Sequence, residues 1–305
     1  EYICMIGDDD GINPKIIEIV KYMDKNSLES LGSFRIGEYF WPNAIEKYKN
    51  GYLSIPKSTF KISKIEPEKR LKPLLLMGVV NYIPFNLPRI YHGIIKKKIL
   101  EKIKKQTGYY FGGLSPDIYS SIAFSTIIKT HTIIDYPISI AGTCLSSTSA
   151  ASVNGSHSGE LKDAPHFRSR GNYKWEQEVP KYYSIQTIWA ETAIKTLKEF
   201  KKDELLKYFN LKFLVAQSIR YNKTIRKLII KESRNTIRNQ KKSFYLFIIQ
   251  VFFLIIILES AFSLKKILKF MKNKSKYKPF YGVKNIKEAT IIFEEENKKL
   301  QNFFR

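Results

Sequence analysis

The chain has 305 residues, 44% of them hydrophobic and 14% aromatic, which supplies a sizeable core and excludes disorder as the main state. Two cysteines, Cys4 and Cys144, exclude a disulfide framework for a chain this long and favour a reducing compartment. The formal charge of +24 is uneven: residues 201–305 carry 25 Lys+Arg against 8 Asp+Glu, and residues 1–200 the other 27 against 20, so an anionic partner would meet the last third.

The chain opens on Tyr2 to Ile6, a short apolar run that reads as a buried strand. It has neither an initiator Met nor a signal peptide, and a start on a strand predicts that further sequence precedes it. Gly7 and the run Asp8-Asp9-Asp10 end the strand. Asn13-Pro14 then starts a helix whose apolar face is Ile16, Ile17, Ile19, Val20 and Met23. Strand, acidic loop and helix make one α/β unit, and ligands in such sheets gather at the carboxyl ends of strands. Residues 31–65 predict short strands and loops. Pro67 opens a helix through Leu76, and Arg89 to Ile95 reads as a strand. Residues 96–106 read as a helix with a basic outer face.

A turn rich in aromatics and glycine follows at Tyr109–Gly113. Ser115 is placed to cap a helix that runs to Ile128. Thr132 to Ile140 is strand-like. Residues 145–173 form a polar, small-residue segment, too long for an ordinary connection and suited to a lid over a site. Helical periodicity returns at Tyr183–Phe200. The last third reads as helical and basic, and it contains the apolar run Phe244–Leu258 between lysine pairs. That run is short for a membrane span unless extended through Glu259 to Leu264, so core, interfacial and spanning helices all stay open. We therefore expect an α/β domain over 1–200 followed by a basic helical region over 201–305.

Three adjacent carboxylates at a strand end repel one another unless a cation joins them. Mg²⁺ or Mn²⁺ suits such oxygen ligands and commonly takes one or two carboxylates plus substrate phosphates. The competing reading is a solvated acidic turn ahead of a helix, where aspartate is welcome. Asp117, at the start of its helix, is an acid that complements the helix dipole.

The form apolar strand, Gly7-Asp8-Asp9-Asp10-Gly11, apolar helix resembles the aspartate motif of family 2 glycosyltransferases with the GT-A fold. The likeness continues through Arg89-Ile90-Tyr91-His92-Gly93-Ile94, the 96–106 helix, Gly108-Tyr109-Tyr110-Phe111 and Ser115-Pro116-Asp117-Ile118-Tyr119, covering roughly residues 1–200. The resemblance implies a partial GT-A-like, Rossmann-like mixed sheet with flanking helices. It implies a divalent metal, Mn²⁺ or Mg²⁺, on Asp8 and Asp10, with Asp9 facing the donor. Asp117 matches the family's base, although Pro116 stands where the family usually has a first acid. His157 is the implied late histidine ligand, and Arg168 and Arg170 the implied diphosphate contacts. Tyr109 and Tyr110 are the aromatics placed to stack on an acceptor sugar. The implied donor is a nucleoside-diphosphate sugar, and the implied acceptor a glycan or a lipid-linked sugar of surface polysaccharide synthesis. Base- and ribose-binding strands of such a domain would precede Glu1. The basic tail suits a cytoplasmic protein held at the inner membrane surface, and no nucleic-acid motif is present. Two rival readings stand beside this one. One is a metal-dependent phosphoryl transferase using the aspartates; the other is a non-enzymatic binder of membrane or nucleic acid through the tail.

Overall fold

Short apolar segments separated by tight turns build two mixed five-stranded sheets in this α/β protein. The structure, a computed structural model, describes residues 1–147, 158–167, 173–271 and 276–297. Its strands are β1 (Tyr2–Ile3), β2 (Gly11–Ile12), β3 (Ser30–Ser33), β4 (Gly37–Phe40), β5 (Tyr52–Pro56), β6 (Ile62–Ile65), β7 (Gly93–Lys96), β8 (His131–Ile134), β9 (Ser139–Thr143), β10 (Ser158–Gly159), β11 (Tyr183–Ser184) and β12 (Tyr277–Tyr281). The first sheet has the order β1-β7-β3-β8-β6 and the second β12-β5-β4-β9-β2. The chain passes from the first sheet to the second three times, at β1 to β2, β3 to β4 and β8 to β9. β3 and β8 are parallel neighbours in the first sheet, and their continuations β4 and β9 are parallel neighbours in the second. The run that reads as one strand over Thr132–Ile140 is therefore two strands, parted by the turn at Asp135–Ile138.

The helices follow their periodicity. α1 (Ile16–Lys25) buries Ile19 and Met23 against Leu31, Ile94 and Ile134. α2 (Glu68–Leu76) follows Pro67, and α3 (Lys97–Thr107) buries Ile99, Leu100 and Ile103 while its lysines stay outside. Gly108 ends α3 with φ +86°, a left-handed turn that glycine takes without strain. α4 (Pro116–Ile127) begins with Pro at its first turn, and Ser115 holds the cap position without a side-chain hydrogen bond. α5 (Ile185–Glu199) opens on a capping box in which Ser184 and Thr187 satisfy each other's backbone N–H. α6 (Leu211–Tyr221), α7 (Arg226–Asn239) and α8 (Phe244–Met271) follow in succession. Leu71, Ile118, Ala193, Val215, Ile229 and Val251 share one core and so join α2 to α4 through α8.

The last third is not helical throughout. β12 pairs with β5 from Tyr277↔Pro56 to Tyr281↔Tyr52, and α9 (Ile286–Asn297) packs Ala289 and Phe293 against Tyr39, Leu53 and Ile140. Residue 200 marks a change of composition, while sheet pairing and core packing both cross it.

Candidate functional site

The acidic turn lies at the first crossing between the sheets, and its three carboxylates have different surroundings. Asp10 points inward: Oδ1 accepts from Gly142 N at 2.6 Å, Oδ2 from Gly7 N at 2.6 Å, and the side chain is 3% exposed. The Asp9 carbonyl accepts from Trp41 Nε1 at 2.9 Å, and its Oδ2 from Cys144 N at 3.3 Å. Asp8 is exposed. Glycine is required opposite the turn, because a methyl group on Gly142 would lie 1.8 Å from the Asp9 carbonyl oxygen.

A second segment is clamped to the first. Met5 N donates to Ile90 O at 2.9 Å and His92 N donates to Met5 O at 3.1 Å, which lays Arg89–His92 beside the acidic turn. Gly93 makes the tight return possible, since a side chain there would strike the Arg89 carbonyl. The Tyr91 hydroxyl, Asp9 Oδ1 and Asp10 Oδ2 lie 2.6, 2.9 and 3.1 Å from the point that a methyl on Gly7 would occupy. Burial and the Asp10 carboxylate raise the Tyr91 pKa, so the phenol stays protonated. His92 is buried, with Nε2 3.5 Å from Asp10 Oδ2 and Nδ1 2.9 Å from Ser139 Oγ. Burial drives its pKa down to about 4; Asp10 opposes the shift and Arg89 adds to it. The imidazole is therefore neutral at pH 7.

The third segment is the start of α4. Asp117 lies in its first turn and faces a cavity of about 380 Å³ whose walls include Glu38, Tyr82, Arg89, Tyr91, His92 and Trp189. Burial raises the Asp117 pKa above the ordinary carboxylate value, and the Arg89 guanidinium pulls the other way. Among the described residues Arg89 forms no ion pair within 4.0 Å, although it lies close enough to Asp117 for the carboxylate's charge to act on it. A guanidinium without a fixed carboxylate on a cavity wall is suited to bind an anion such as a phosphate. Tyr82 and Trp189 meet edge to face at 5.2 Å and give the same cavity an aromatic side.

The sequence-predicted residues divide accordingly. Asp117 lines the cavity, and the acidic turn lies behind its Tyr91–His92 wall. Of the expected metal pair, Asp8 is exposed, while each Asp10 oxygen accepts one backbone N–H. Asp9 Oδ1 has no described hydrogen bond, and Asp8 is exposed, so these carboxylates are the ones most open to a cation such as Mg²⁺ or Mn²⁺. No group of three or more His, Cys, Asp and Glu side chains placed to hold a metal occurs among the described residues. Tyr109 and Tyr110 stand apart from the cavity: their hydroxyls donate to Glu199 Oε1 at 2.6 Å and Glu101 Oε1 at 3.0 Å, so the aromatic wall is Tyr82 and Trp189. His157, Arg168 and Arg170 lie outside the described residues. Arg89, Tyr91 and His92 carry polar groups that sequence reasoning quoted only as part of a resemblance. The available signal was their density, three polar side chains within four residues just ahead of a buried strand.

No family model, curated protein or solved structure matches the chain. Fold and site alone define its class: an α/β protein with two mixed sheets and a cavity lined by a half-buried carboxylate and by an arginine without an ion pair among the described residues, with an acidic turn behind one wall.

Proposed function

We propose that the chain is the catalytic portion of an inverting, GT-A-like glycosyltransferase that moves a sugar from a nucleoside diphosphate to a glycan or lipid-linked acceptor. The observation that carries this reading is one cavity lined by Asp117 at the start of α4 and by Arg89, Tyr91 and His92, with the Gly7–Asp10 turn packed behind the Tyr91–His92 wall.

Asp117 acts as the general base. Burial raises its pKa above the ordinary carboxylate value, which strengthens it as a proton acceptor. The acceptor oxygen attacks the anomeric carbon, the bond from that carbon to the diphosphate oxygen breaks, and the acceptor proton passes to Asp117. Arg89 holds the diphosphate as its charge grows. Tyr82 and Trp189 offer faces for a sugar ring. Asp8 and Asp9 would hold a divalent cation, which would neutralise diphosphate charge. Asp10 and His92 serve the site by position: they hold the acidic turn and the Arg89–His92 segment together.

The experiment is donor binding by the natural full-length protein, followed calorimetrically with nucleoside diphosphates in the presence of Mn²⁺ or Mg²⁺. Arg89→Gln should weaken diphosphate binding about tenfold or more, in line with the loss of a charge-assisted contact. Asp8→Asn should reduce the dependence on the cation. Unchanged affinity in Arg89→Gln would remove the diphosphate from this cavity.

A further inference from the structure

An apolar helix packed on one side and bare on the other needs a partner for its bare side. Within α8, Phe244–Leu264 is 21 residues with mean hydropathy 2.4 and only 11% of it buried, so by length and composition it could cross a membrane. Packing argues for another orientation. Phe247 and Val251 are buried, and Ile248, Leu254, Ile255 and Leu258 pack against the core that α6 also enters. Polar ties repeat the contact along the helix: Lys212 Nζ donates to Gln250 Oε1 at 3.2 Å, and Arg220 Nε to Glu259 Oε1 at 2.7 Å. A bilayer-spanning α8 would carry Lys212, Arg220 and the rest of α6 into hydrocarbon, which is costly for charged groups. The opposite face is apolar and open, with Tyr245 79%, Ile249 64%, Phe253 66% and Ile256 62% exposed. Such a face buries itself by lying in the plane of a membrane surface.

A cavity of about 540 Å³ lies where that face begins, between the start of α6, the end of α7 and the start of α8. Its wall joins Phe209, Leu246 and Phe247 to three lysines, Lys207, Lys212 and Lys242. None of the described ion pairs includes these lysines. The partners they do have are uncharged: Gln250 for Lys212, Gln240 for Lys242 and the Tyr208 ring for Lys207. Three cations without carboxylates around a partly apolar cavity, continuous with an exposed apolar helix face, match a molecule with an anionic head and a hydrocarbon body.

We propose that this cavity binds the phosphate-bearing headgroup of an anionic phospholipid, with the acyl chains along the exposed face of α8. The chain then sits on an anionic leaflet, held in plane by α8 and without crossing the bilayer. This site is separate from the Asp117 cavity and does not depend on sugar transfer.

The test is co-sedimentation of the full chain with phosphatidylcholine vesicles, alone or containing about one third phosphatidylglycerol, at 0.15 M salt. Anionic vesicles should bind roughly tenfold or more tightly than neutral ones, as expected for several lysines at a charged surface. Lys207→Gln/Lys212→Gln/Lys242→Gln should lose most of that preference with an unchanged circular dichroism spectrum. Phe253→Ser/Ile256→Ser, on the exposed face, should lose binding to both vesicle types. Equal binding to neutral and anionic vesicles, or a preference that survives the triple substitution, would overturn the headgroup site. Thermal stabilisation by millimolar inorganic phosphate, abolished in the triple variant and without vesicle binding, would assign the cavity to a soluble phosphate instead. A dimer in ultracentrifugation together with absent vesicle binding would assign the α8 face to a second copy. Protease protection of residues after α8 inside sealed vesicles would contradict the in-plane orientation.

Discussion

Asp117 and Arg89 line one cavity, and the charge of each acts on the other. Burial raises the Asp117 pKa and Arg89 restrains the rise. A base must be ionised to accept a proton, so kcat/KM should fall on the acid side along a limb centred above the ordinary carboxylate range. A pH–rate profile of Arg89→Gln should show that limb displaced to still higher pH, since the opposing charge is gone. A limb at the ordinary carboxylate value in both proteins would contradict the buried setting. Asp117 was legible in the sequence because an acid just inside a helix after Ser-Pro is a local pattern. Arg89 and His92 were not, because their roles depend on the backbone pairing with Met5, more than 80 positions away. The setting of Asp10 was not legible: sequence gives three equivalent carboxylates, and only the approach of Gly142 and Gly7 N–H groups turns one inward.

At the scale of elements, the acidic turn and β9 fit together only because position 142 has no side chain. Gly142→Ala forces the new methyl against the Asp9 backbone and should destabilise the fold by about 1–3 kcal/mol in denaturant titration. A neutral effect would mean that the turn and β9 are not in contact. α5 offers a test by pH. Glu191 is fully buried, accepts from the Tyr173 hydroxyl at 2.8 Å, and burial raises its pKa from 4.5 to about 7. Its folded pKa lies above the unfolded one, so its contribution is full below about pH 4.5 and is lost as pH rises to about 7. Glu191→Gln should therefore gain stability relative to the parent by about 1.4 kcal/mol per pH unit across that window, measured by denaturant titration at several pH values. A difference that does not vary with pH would contradict a protonated Glu191. Helices were the most legible elements, since α1 and α3 show their buried faces in sequence. Strand boundaries were least legible. In Thr132–Ile140 the break is marked only by Pro137, and nothing local reveals that the chain changes sheets there.

At the scale of the whole molecule, the tail returns to the first half. Phe293 is fully buried in a cluster with Tyr39, Leu53 and Ile140, and β12 covers the edge of β5. Phe293→Ala should cost about 3–5 kcal/mol of unfolding free energy, whereas a cost under about 1 kcal/mol would mean that the tail is an independent appendage. Composition alone drew the division near residue 200, because charge changes there, while a five-residue strand pairing across more than 200 positions leaves no local mark. The whole-molecule claim is a sugar-transfer site with Asp117 as its base. Its most direct measurement is the transfer rate of the natural full-length protein and of Asp117→Asn, with nucleoside-diphosphate sugars and Mn²⁺ or Mg²⁺. The account predicts cation-assisted release of nucleoside diphosphate with transfer, and a kcat roughly 10²–10⁴-fold lower in Asp117→Asn at unchanged donor affinity. Transfer at the full rate in Asp117→Asn, or no turnover of any donor by the parent, would contradict it.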